Sequence, residues 1–193
     1  MYNDPLNKTD PTGTNCTGAG DQSNCTIDTL NGKKFDRADT SKNNPKLEAK
    51  IERLEGNLKK AYVAAQKLGK DTITVAGDPA HGIADTKVSG DRIAGEMQES
   101  TFNAETRTSQ QVQTTAGPAL ADADKNTHTV NFLKPAINAP QGAYGDRLQQ
   151  DAGIHEAMHF VPYLSGWQHV GELEHETPFR DAIEQLLGPW PNR

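Results

Sequence analysis

Hydrophobic positions along the chain fall into blocks with distinct periods. Leu47, Ile51, Leu54, Leu58, Ala61, Ala65 and Leu68 recur at spacings of three and four, the signature of one apolar helical face. Asn43-Asn44-Pro45 opens that block and Gly69 closes it, so an amphipathic helix of about 23 residues is expected. The pattern then changes. Thr72-Ile73-Thr74-Val75 reads as a short strand stopped by Gly77-Asp78-Pro79, 101–115 alternates weakly enough for one or two strands, and 127–133 is the clearest strand, ended by Pro135.

A second helix is expected from Arg147 to Val161, with Gly145-Asp146 as its cap and Pro162 as its stop. Leu148, Ala152, Met158 and Val161 give it an apolar side, while Gly153 within it leaves room for a substrate. Thr177-Pro178 begins a third helix with Phe179, Ile183, Leu186 and Leu187 on one face, and Gly188-Pro189 ends it. Helices and short strands in this order make an α+β fold, a small mixed sheet beside one long amphipathic helix. Residues 1–44 hold few apolar positions and many Asn, Asp, Thr and Gly, and read as an extended leader ahead of a domain spanning 45–193.

Composition narrows the function classes. The net charge is −6 and the mean hydropathy −0.77, so a phosphate-binding surface is not expected and nucleic acid is excluded as a partner. Lys59-Lys60 is the nearest approach to a basic cluster. It shares its helix with Glu48, Glu52 and Glu55, which reads as a solvated face. No apolar run is long enough to span a membrane, and no secretory signal is read at the start of the chain. Cys16 and Cys25 can close a small loop in an oxidising compartment or remain thiols.

The chemistry concentrates in His155-Glu156-Ala157-Met158-His159. This is H-E-x-x-H, in which residues four apart share a helical face and present two imidazoles to one zinc ion. Glu156 is placed to act as general base toward the attacking water. A catalytic zinc takes a third protein ligand. A histidine six residues beyond His159 is required by the metzincin pattern, but Ser165 stands there. The remaining donors are His169, Glu172, Glu174, His175 and Glu176, with a downstream glutamate as in gluzincins the best fit. Tyr163, His169, His175 and Arg180 are candidates to stabilise the oxyanion. Asp151 is one turn before His155 and reads more simply as a surface carboxylate than as a group orienting a ligand. His81 and His128 read as uninvolved surface residues, with 127–133 as the sheet edge over the metal helix.

Two resemblances extend this reading. Tyr2-Asn3-Asp4-Pro5-Leu6-Asn7-Lys8-Thr9-Asp10-Pro11-Thr12-Gly13 resembles the end of the core in Rhs-repeat polymorphic toxins, after which a variable toxin domain follows. Glu176-Thr177-Pro178-Phe179-Arg180, with the later Gly188, Pro189 and Arg193, is similar to the tail of toxin-type HExxH proteases. The resemblance implies a zincin-like metalloprotease toxin with Glu176 as third ligand, and Glu172, Glu174 or His175 as alternatives. It further implies release from a parent Rhs shell, delivery by a bacterial secretion system into a competing cell, and a cognate immunity protein. Two alternatives stay open: a metal-stabilised binding module acting through the long helix, and a peptidoglycan amidase.

Overall fold

The apolar stripe of the first block folds as α1 (Pro45–Leu68), in a computed structural model that describes residues 45–104, 113–114, 117–168 and 176–192. The leader, with its Rhs-like segment, Cys16 and Cys25, lies outside the described residues. Ile51, Leu54, Leu58, Ala61 and Ala65 are all 0% exposed, so α1 is a core helix rather than a free amphipathic face. Glu55 is equally buried, and the expected solvated face does not include it. Gly69 ends the helix in the left-handed region (φ 59°), where its N–H donates to Ala65 O at 3.1 Å.

A hairpin of β1 (Thr72–Val75) and β2 (Thr86–Ser89) follows, paired antiparallel, and runs directly into α2 (Gly90–Glu99). Ser89 caps α2 by accepting from the Arg92 N–H. The next sheet is mixed. β3 (Thr101–Ala104) pairs parallel with β7 (Thr129–Phe132), and β6 (Ala121–Asp124) pairs antiparallel with the other side of β7. Two-residue strands β4 (Gln113–Thr114) and β5 (Gly117–Pro118) pair separately. The strand expected at 127–133 is therefore central, not an edge. Val130 and Phe132 explain why: both are 0% exposed, the burial of an interior strand. The edges are β3 and β6.

After a single turn of helix, α3 (Lys134–Ile137), the chain enters α4 (Ala143–Met158), then a 3-10 segment at Pro162–Gln168, and finally α5 (Glu176–Leu187). α4 packs against α1, α2, α5 and the sheet, and α5 closes over β1. The result is an α+β fold with one core, in which Leu58, Phe132, Ile154, Met158 and Phe179 are fully buried.

α4 begins four residues before the expected Arg147, because Asp146 is not its cap. Asp146 Oδ1 accepts from Arg53 Nε and Asn57 Nδ2, each at 2.8 Å, and so is spent tying α4 to α1. Asn57 also donates to Gln149 Oε1 at 2.7 Å, and Gln149 donates to Ala136 O at 2.8 Å. Arg53 reaches Ala139 O and Pro140 O at 2.9 and 2.6 Å. Gly153 answers to the same interface. A Cβ there would meet Leu58 Cδ2 at 2.2 Å, so the glycine permits close approach of α1 and does not open space for a substrate.

Candidate active site

Helix α4 ends at Met158, and His159 is the residue that caps it, still in helical geometry (φ −63°, ψ −21°). His155 and His159 therefore keep the one-turn relation. Their ring centroids lie 5.1 Å apart, inclined at 66°. Phe179 from α5 packs against both rings, with centroids 5.1 Å from His155 and 5.3 Å from His159. Glu156 Oε2 lies 4.0 Å from His159 Nε2. His155 is 7% and Glu156 8% exposed, so this is an interior wall of the molecule and not a surface helix.

His155 and Glu156 line a cleft of about 830 Å³ bounded by α4, the start of α5, the residues before β6 and the segment after α5. Glu176 and Arg180 from α5 open onto it, as do Leu120 and Ala121 at the β6 edge. Burial pushes the Glu156 carboxyl up to about 8, and the carboxylates of Asp122 and Glu176 add to that shift. Glu176 is raised as well, by burial, against the opposing charge of Arg180. Asp151 is raised to about 7, chiefly by burial. Its Oδ1 is buried without a hydrogen-bond partner, so the expectation of a surface carboxylate gives way.

Neither a family model nor any curated protein or solved structure matches this chain. The site is thus read from its own residues. Two imidazoles with carboxylates at the cleft wall are the N/O donor set that zinc takes. Like charges drawn together under burial, as Glu156, Asp122 and Glu176 are, also fit a cation, which would relieve their repulsion. Of the expected oxyanion donors, Arg180 lies in the cleft. Tyr163 lies instead on a separate cavity of about 520 Å³, beside His81, Ile83 and Trp167. His169, Glu172, Glu174 and His175 lie outside the described residues.

Among the described residues, the group whose ligand atoms gather closely enough to hold a metal ion is not His155, His159 and Glu176 but a different one. Ligand atoms of Glu96, Glu99 and His128 lie within 4.8 Å of one another, with Glu96 buried, Glu99 exposed and His128 between. His128 is therefore not a bystander on the surface: its Nε2 lies 3.3 Å from Glu96 Oε2 and its ring stacks on Phe160 at 4.0 Å. Arg92 already pairs with Glu96, which leaves less charge there for a cation to neutralise. His81 is paired too, through Nδ1 to Asp78 Oδ2 at 2.6 Å. The residue that sequence reasoning missed is Asp122. Its only signal was the alternation Ala121-Asp122-Ala123-Asp124, which lacks the β-branched residues that mark a strand.

Proposed function

We propose that this protein is a zinc-dependent endopeptidase of gluzincin-like, zincin-type architecture, the toxin domain that follows an Rhs core. The observation that carries the reading is the pair of imidazoles one helical turn apart, with the buried His155 and Glu156 on the wall of an open cleft and His159 half-buried beside them. His155, His159 and Glu176 would hold the ion. When bound, zinc supplies Lewis-acid polarisation of the scissile carbonyl and acidifies the attacking water.

The chain's own groups do the rest. Glu156 would take the proton from the water and pass it to the leaving amine. Arg180 is the donor in the cleft for the developing oxyanion. The outer edge of β6, with Ala121 at the cleft, offers backbone groups to an extended peptide. The segment Tyr2–Gly13 supports the toxin context, and with it secretion into a rival cell and a protective immunity protein in the producer.

Metal analysis and profiling of new protein N-termini in cells expressing wild type or Glu156→Gln test the proposal together. Wild type is expected to carry zinc and to create new N-termini. Glu156→Gln should keep the zinc and lose about 10²- to 10⁴-fold in cleavage. Undiminished toxicity in a zinc-retaining Glu156→Gln protein would end the peptidase reading and favour a binding module.

A further inference from the structure

The cleft carries more negative charge than the proposed zinc site uses. Asp151, Glu156, Glu176, Asp181 and Glu184 line it, against the guanidinium of Arg180. Arg180 Nε lies 3.6 Å from Asp181 Oδ1, so those two offset each other. With Glu156 and Glu176 assigned to the reaction, Asp151 and Glu184 are left over. Asp151 is one turn before His155 on α4, on the same face of the helix.

Asp151 is balanced from within only through space, by the charges of Arg147 and Arg180, and not by a hydrogen bond to its buried oxygen. Its Oδ1 is buried and receives no hydrogen bond. The cation on its own helix, Arg147, is held only in part elsewhere: Nη1 donates to Gly188 O at 2.8 Å and the guanidinium sits 5.0 Å over the Trp190 ring, while Nε and Nη2 are buried without partners. Among the described residues neither a hydrogen bond nor an ion pair joins Arg147 to Asp151. An acceptor buried without a donor is costly in any folded protein, and on the wall of an open cleft the missing donor is one that arrives with a ligand. Leu148, Tyr144 and Trp190 line the same cleft. They offer an apolar wall to the stem of a long side chain.

We infer that the cleft selects peptides bearing a lysine or arginine beside the scissile bond, with Asp151 receiving the side-chain cation and Glu184 supporting it from the rim. The position relative to a scissile bond rests on the peptidase reading; the charge preference does not. The test uses the full chain as zinc-loaded Glu156→Gln and fluorescein-labelled peptides differing at one position, Lys, Gln or Glu, read by anisotropy. The Lys peptide should bind about tenfold more tightly than the Gln peptide, and the Glu peptide more weakly than either, with the spread narrowing as salt rises.

Adding Asp151→Asn should bring the Lys/Gln ratio close to one. Glu184→Gln should lower it part-way, and serves where circular dichroism shows that the Asp151 variant has not folded. Equal binding of the three peptides overturns the inference, as does a ratio untouched by both variants. A Lys peptide that binds selectively yet is left intact by the zinc-loaded wild type supports the charge preference and removes the peptidase reading alone.

Discussion

Toward its N-terminus α4 presents Asp146 and Gln149, and toward its C-terminus Asp151, His155 and Glu156. The first pair is satisfied from α1 and α3: Arg53 and Asn57 donate to Asp146, Asn57 donates to Gln149, and Gln149 donates to Ala136 O. Burial alone would raise the Asp146 carboxyl, but the hydrogen bonds from Asn57 and Arg53 and the guanidinium charge hold it below the usual range. The second group shows the reverse, with Asp151 and Glu156 both pushed upward, mainly by burial. Along one helix, then, the carboxyl and amide of the matched half, Asp146 and Gln149, are hydrogen-bonded inside the protein, while in the unmatched half Asp151 keeps an oxygen buried without a donor. The matched half ties α4 to α1, and the unmatched half carries the perturbed carboxyls of Asp151 and Glu156, the kind of group that functional sites gather.

Substitutions should separate the two halves by sign. The largest effect is expected at the seam: Gly153→Val drives a side chain into Leu58 and should cost about 3 kcal/mol in urea unfolding. Next, Arg53→Ala strips the matched half of its main donor and should lower stability by about 2 kcal/mol. In the unmatched half the direction turns. Glu156→Gln removes a buried ionisable group and should stabilise metal-stripped protein at pH 8 by about 1 kcal/mol. A destabilised Glu156→Gln protein, or a neutral Arg53→Ala, would erase the distinction.

The pH dependence carries the same contrast. Unfolded Glu156 gives up its proton near 4.5, whereas the folded group keeps it to about 8. The stability from that group is therefore full below about pH 4.5 and is lost as pH rises toward 8. Asp151 adds a loss of the same sign between 3.8 and about 7. Asp146, lowered, works oppositely, and its contribution fades as pH falls through the acid range. The melting temperature of chelator-treated protein should decline from pH 5 to pH 8, and the decline should be shallower in Glu156→Gln.

Periodicity made the helices legible. The stripe of α1 was plain because every apolar position along it meets the core, and Phe179 and Ile183 marked α5 in the same way. What stayed hidden depended on distant partners. The start of α4 was misplaced because Asp146 resembles a cap in sequence but serves Arg53 and Asn57 across a span of 93 and 89 residues. The cleft-side edge was misplaced because β6 is small and acidic, while the interior β7 has the richer strand chemistry. HExxH could be found by spacing alone, but the burial of Asp151 and the nearness of Asp122 are properties of the assembled fold.

Phe179 touches both histidine rings from a different helix. Such a wedge limits how far either imidazole can swing before any ligand arrives. Rings so confined have less rotamer freedom left to lose. A smaller residue at that position would keep both imidazoles in the chain while freeing them to turn.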